Sequence, residues 1–154
     1  MTLTREEILN QKPGRKLDRW IQEHILKWIP WAEQRRDHIS VTYQKPGERE
    51  PYRGSQNWKS QMDRYSIIPF YEIDPMKHIV YGDKDWSTDI SAAWEVIEKL
   101  DYEMTVKKYE GMAGYLYWCR VNGADVNRFD EKIVTCKKAP EAICKAALLA
   151  VLNL

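Results

Sequence analysis

Ser87-Thr88-Asp89-Ile90-Ser91-Ala92-Ala93-Trp94-Glu95-Val96-Ile97-Glu98-Lys99-Leu100 is the stretch on which the reading of this chain turns. Ser, Thr and Asp cap helices by accepting from their free amides, and Ile90, Ala93, Trp94, Ile97 and Leu100 follow at helical spacing. A capped helix with one apolar face is predicted. Pro140 to Leu152 predicts a second helix, with proline at its first position and Ala142, Ile143, Ala146 and Leu149 forming a face small enough to lie close on a sheet. Between the two lie three segments of strand character.

The first alternates Tyr102, Met104 and Val106 with Glu103, Thr105 and Lys107, and Gly111 to Gly114 supplies a turn. In the second, Tyr115, Tyr117, Cys119 and Val121 alternate with Leu116, Trp118 and Arg120. It is bulky on both faces and reads as central. Asn122-Gly123 is a tight-turn dipeptide, and Ile133-Val134-Thr135-Cys136 is the third strand. The expected fold is α+β: an antiparallel sheet of three or more strands layered with helices, in the order helix, strand, strand, strand, helix, plus an N-terminal helix.

Upstream, Thr4-Arg5-Glu6-Glu7 has the form of a capping box. After Pro13-Gly14, the residues Leu17, Trp20, Ile21, His24, Ile25 and Trp28 fall at helical spacing, and Ile29-Pro30 is expected to end that helix. His24 lacks a His or Cys partner at metal spacing and reads as a core or boundary residue. From Trp31 to Asp85 periodicity fades. Ile39-Ser40-Val41-Thr42-Tyr43 reads as an edge strand, Lys45-Pro46-Gly47-Glu48 as a turn, and Ile67 to Tyr71 and His78 to Tyr81 as apolar returns to the core. The expectation is a single domain, 1–154, with a core of 13–28 and 86–154 and an insert of 29–85.

Bulk properties narrow the function. A chain of 154 residues holds one ordinary domain with a sizeable core, and a formal net charge of +1 exerts no global pull toward nucleic acid or membrane. No apolar run reaches the roughly 20 residues that span a bilayer, and Met1 to Asn10 is charged and helix-like rather than a signal peptide. Cys119, Cys136 and Cys144 are odd in number and sit in apolar sequence, which predicts buried free thiols in a reducing cytoplasm. Gly82 to Asp89 fails as a calcium loop: Lys84 intrudes and the required Gly and Glu are absent, so Asp85 and Asp89 are read as helix N-terminal groups.

Catalytic and cofactor motifs are missing: there is no Gly-x-Ser-x-Gly, phosphate loop or His-Glu-x-x-His. A non-enzymatic protein without a cofactor or metal is expected. Seven Trp and nine Tyr against two Phe favour binding, because these rings carry a polar atom on a flat apolar body. From Arg35 to Arg64 there are seven Lys or Arg against four Asp or Glu, interleaved with aromatics. Guanidinium groups clamp phosphate and aromatic faces stack a base, so Arg53, Trp58, Lys59 and Arg64, with Trp86 lining the site, are the expected contacts to a nucleotide-like ligand.

Two family resemblances bear on this. The helix–strand–strand–strand–helix order with Lys137-Lys138-Ala139 and then Ala142, Lys145, Ala146 and Ala147 resembles the double-stranded RNA-binding domain, in which lysines opening the last helix meet phosphates. Pro140 and Glu141 occupy the contacting turn, and the connection Glu110 to Gly114 lacks that family's Gly-Pro-x-His character. A closer resemblance rests on three pieces together: Pro13-Gly14-Arg15-Lys16-Leu17-Asp18, Ser87 to Leu100 quoted above, and Ala139-Pro140-Glu141-Ala142-Ile143-Cys144-Lys145-Ala146-Ala147-Leu148-Leu149-Ala150. These resemble the phage ABA sandwich domain family, small phage and prophage proteins of unknown activity. The resemblance implies helices layered with a sheet, a phage origin and the cytoplasm of a bacterial host, and it assigns no binding residues. The stretch Ile29 to Asp85 is longer than the family's corresponding region, so a distinct function is expected there. The resulting expectation is a phage-encoded binding protein that sequesters a nucleotide-like host immune signal. The alternative is an interaction module in which Trp31, Trp58 and Tyr52 anchor a host protein or a second copy of the chain.

Overall fold

A computed structural model describes residues 2–122 and 133–154. The chain divides into two compact units, one discontinuous (Met1–Ile25 with Lys84–Leu154) and one continuous (Leu26–Asp83).

In the discontinuous unit, α1 (Arg5–Asn10) starts as the capping box predicts: the Glu7 amide donates to the Thr4 hydroxyl at 3.2 Å, and the Thr4 amide donates to the Glu7 carboxylate at 2.8 Å. Helix α2 (Arg15–Trp20) runs on through a π turn (Ile21–Ile25) and stops there. The sequence placed that end at Ile29-Pro30, but Lys27 adopts a left-handed φ of 55°, which terminates a helix before the proline is reached. Short helix α3 (Trp58–Gln61) belongs to the other unit. Helix α4 (Ile90–Glu98) is capped by Asp89, which accepts from the Ala92 amide at 3.0 Å. Helix α5 spans Ala139–Val151, with Pro140 one position later than expected.

The three strands β5 (Glu103–Gly111), β6 (Gly114–Asn122) and β7 (Ile133–Cys136) pair antiparallel with β6 in the centre. Gly111 pairs with Gly114 across a two-residue turn, which the φ of +111° at Gly114 makes possible. Gly123, the second half of the Asn122-Gly123 turn, and the polar connection up to residue 132 lie outside the described residues.

Helix α5 packs on β6 and β7 and also touches α1, the π turn and α4. Residues 142–149 are therefore buried without a break, where a single apolar face was expected; a helix packed on several sides loses its polar stripe. The one charge in that run is Lys145, 4% exposed, whose ammonium meets Glu141 at 2.6 Å and the Leu9 carbonyl at 2.8 Å. Lysine 145 is thus unavailable to phosphates, which removes one of the three lysines behind the RNA-binding resemblance. Trp86, Ile8, Leu17, Ile21, Val96, Ile143 and Leu148 complete this core.

The continuous unit, where the sequence shows little periodicity, is built on a four-stranded sheet. Strands β1 (Ile29–Gln34), β2 (Ile39–Gln44), β3 (Tyr65–Ile67) and β4 (His78–Val80) lie in the order β3-β1-β2-β4. Ile39 to Tyr43 is thus not an edge strand: β1 flanks it antiparallel and β4 parallel, over residues 39–41. Proline sits inside β1 without breaking it. The Pro30 carbonyl faces β3, accepting from the Ile68 amide at 3.2 Å, so its missing donor falls just past the last β3 pair, Trp31 with Ile67.

A unit of this size buries little aliphatic surface, chiefly Val41, Ala32, Leu26 and Ile73. Aromatic packing supplements it. Tyr52 is buried against Trp31 (5.7 Å between ring centroids), Tyr65 (5.9 Å) and Trp58 (6.1 Å), while Tyr43 stacks on Phe70 at 6.2 Å and meets Trp28 at 5.4 Å.

Candidate ligand-binding site

Strands β1 and β2 are joined by four residues, Arg35-Arg36-Asp37-His38, closed by a hydrogen bond from the Arg35 amide to the His38 carbonyl at 2.9 Å. A hairpin loop this short projects both arginines from the end of the sheet. Arg64 joins them from the 3-10 turn that leads into β3, because Tyr65 pairs with Glu33 and Arg64 precedes it by one residue. These residues, with Glu33, Gln34, Asp37 and His38, line an open cavity of about 670 Å³.

The charges of this cavity are unevenly spent. Arg35 donates to the Glu33 carboxylate at 3.0 Å, and Ser40 lies 3.5 Å from the same oxygen. The Tyr65 hydroxyl is held above its ordinary pKa by burial, then by the adjacent Glu33 charge to which it is hydrogen-bonded, and so stays a proton donor. Asp37 lies 2.6 Å from His38 Nδ1, and that hydrogen bond holds its carboxyl below the usual range. Among the described residues, Arg36 and Arg64 have no ion-pair partner. Guanidinium groups without an ion pair, lining one cavity, can clamp a phosphate or carboxylate in bidentate fashion.

The residues expected from sequence divide. Arg64 lines the cavity. Arg53, Trp58 and Lys59 come together in a separate cluster: the Arg53 guanidinium lies 4.8 Å from the Trp58 ring centroid, Lys59 lies 5.6 Å from it, and Arg53 is also paired with Glu50 at 2.8 Å. These cations are engaged with their own unit's aromatics. Trp86 is completely buried in the core of the discontinuous unit. Of the proposed protein anchors, Tyr52 is buried and Trp31 and Trp58 are half-buried within the aromatic cluster, so their faces serve the fold. The residues missed were Arg35 and Arg36. The signal for them was a dibasic pair between an apolar Trp31-Ala32 and a clear strand, Ile39 to Tyr43.

The cysteines are held as protonated thiols. All three are free, Cys119 and Cys144 buried and Cys136 half-buried. Burial pushes the Cys119 thiol up to about 12 and the Cys136 thiol up to about 11, and raises Cys144 as well. Among the described residues no group of three or more His, Cys, Asp or Glu is arranged to hold a metal ion, and no helix is long and apolar enough to cross a membrane.

What the fold defines is an α+β protein with a helix-and-sheet unit and a second, four-stranded sheet carrying a basic cavity. The chain belongs to the phage ABA sandwich domain family, whose model matches residues 19–148. It is also similar to a phage protein from Bacillus cereus ATCC 14579 with a 2.0 Å crystal structure: 25% identity, 94% of this chain and 90% of that one covered, TM-score 0.47. No curated protein matches the chain.

Proposed function

We propose that this protein is a non-catalytic binding protein that takes a small phosphate-bearing, nucleotide-like ligand in the basic cavity at the β1–β2 loop and withholds it from the bacterial host. The observation that carries the reading is the pair Arg36 and Arg64: two guanidinium groups without ion-pair partners among the described residues, lining one open cavity. A guanidinium group presents a planar fork of donors that matches the oxygens of a phosphate, and two of them lining one cavity suit an anion. Membership of a phage family supports the host-directed role. Isothermal calorimetry and melting shifts with cyclic nucleotides, ADP-ribose-type nucleotides and inorganic pyrophosphate test it. At least one should bind, with affinity falling in Arg36→Ala and Arg64→Ala variants that melt like the parent; a broad panel without a binder refutes the reading.

A second reading, capture of a host protein, is favoured by the exposure of Tyr71 (86%) and Met76 (92%) in the segment between β3 and β4. Pull-down from host lysate with and without Tyr71→Ser and Met76→Ser separates the two, because ligand sequestration requires no protein partner.

A further inference from the structure

Beside the basic cavity lies a narrower one of about 230 Å³ that shares Gln34 and Arg64 with it. Its origin is visible in the strand register. Ala32 pairs with Ser66 on one side and Val41 on the other, and Gln34 pairs with Ile39, so two small side chains adjoin in neighbouring strands with the longer Gln34 and Ile39 beside them. Ala32, Ile39 and Ile68 give the cavity an apolar lining. Its volume is below the roughly 300 Å³ at which pockets for whole drug-sized ligands begin, and suits one planar ring system.

The polar groups of the two cavities have opposite character. The larger is lined by Arg35, Arg36 and Arg64 against Glu33 and Asp37, both of which already have partners in Arg35 and His38, whereas the smaller sets Asp63 and Glu72, with His78, against Arg64 alone. Neither Asp63 nor Glu72 has an ion-pair partner among the described residues. His78 Nδ1 accepts from the Asp74 amide at 3.1 Å, so the neutral ring carries its proton on Nε2 and is a donor there. The unpaired charge is therefore positive in the larger cavity and on balance negative in the smaller, which gives a phosphate the better match in the first and a group bearing N–H donors the better match in the second.

We infer that the smaller cavity is a nucleobase compartment that prefers a guanine-type edge, with Arg64 standing between base and phosphate. This deepens the phosphate-ligand reading above and rests on it. The chemical reason is the donor pattern: guanine presents N1–H and the 2-amino group side by side, which one carboxylate accepts in bidentate fashion, whereas adenine sets an acceptor, N1, beside its amino group and faces a carboxylate with repulsion. A bidentate match of this kind discriminates by about tenfold or more.

The test uses the full chain and four probes, GMP, IMP, AMP and inorganic pyrophosphate, titrated by calorimetry against the parent and an Asp63→Ala/Glu72→Ala variant whose melting is checked first. Both carboxylates are exposed, so this variant is expected to fold. GMP should bind at least about tenfold more tightly than AMP, with IMP, which lacks the 2-amino group, between them. In the variant the GMP-to-AMP ratio should collapse toward one while pyrophosphate binding is retained or strengthened. Pyrophosphate binding with GMP and AMP equal in the parent, or with AMP preferred, overturns the base compartment and leaves the anion site standing. Failure of all four probes to bind overturns both.

Discussion

Replacing Lys145 by methionine tests the account of the discontinuous unit most directly. Methionine keeps the length of the apolar stem and removes the ammonium, so little cavity is opened and the loss is electrostatic. Two partners are stranded: the Leu9 carbonyl, which ties α1 to α5, and the Glu141 carboxylate one turn earlier on the same helix. Breaking a buried ion pair by removing one member costs about 3–5 kcal/mol, and because the Glu141 side chain keeps 16% of its exposure we take the lower end, about 3 kcal/mol. For a chain of this size that corresponds to a fall in Tm of about 6–12 °C. Urea and thermal denaturation of Lys145→Met, Glu141→Gln and the double variant give the cycle. The double variant should recover part of the loss, since Glu141→Gln removes the charge that Lys145→Met leaves uncompensated. Lys145→Met within about 1 kcal/mol of the parent, or strictly additive single effects, refutes the argument.

Four further outcomes are expected. Asp89→Ala removes the α4 cap and should cost about 1 kcal/mol in urea denaturation, with Asp89→Asn nearly neutral. Asp18, buried and accepting from the Ser87 amide at 2.8 Å, has its pKa raised, first by burial and against the Ser87 hydrogen bonds. Its native state therefore binds the proton more readily than the unfolded chain, so the stability of the parent relative to Asp18→Asn should fall as pH rises upward from the ordinary carboxylate range; a rising difference contradicts this. Thiol titration at pH 8 should find Cys119, Cys136 and Cys144 unreactive until denaturant is added, with half-buried Cys136 the first to respond. Against pyrophosphate or a bound nucleotide, Arg36→Ala and Arg64→Ala should each lose about tenfold or more in affinity, while Arg53→Ala and Lys59→Ala stay within about twofold, because the latter pair are engaged with Trp58.

The discontinuous unit was legible in sequence because its elements are long and locally signed. The Thr4 capping box, the Asp89 cap, nine-residue strands and proline at the start of α5 each declare themselves within a few residues. The continuous unit was not, for reasons visible in its strands. The buried positions of β1 are Pro30 and Ala32, neither a residue that favours strands, and β3 and β4 are three residues each, too short to show a period. The position of β2 inside the sheet depends on β4, brought from almost 40 residues downstream to pair parallel with it. The basic character of residues 35–64 was readable. Its division into a cation–aromatic cluster around Trp58 and an arginine cavity at the β1–β2 loop was not, since it depends on the register that sets Tyr65 opposite Glu33.

That parallel pairing has a consequence for how the chain comes together. In the continuous unit β1 enters beside Gln44 and β4 leaves along Val41 in the direction of Tyr43, whose hydroxyl donates to Asp83 at 2.7 Å. Entry and exit thus stand at one end of the sheet with β2 between them, about 10 Å apart at ordinary strand spacing. Once residues 26–83 have folded, the two halves of the discontinuous unit are no longer separated by a slack tether of about 58 residues but by a gap that a few residues span. By the logarithmic law of loop closure this saves about 2 kcal/mol of entropy in bringing α1 and α2 to α5. Residues 26–83 are synthesised before residues 84–154, so this saving is open to a chain in which the continuous unit folds first.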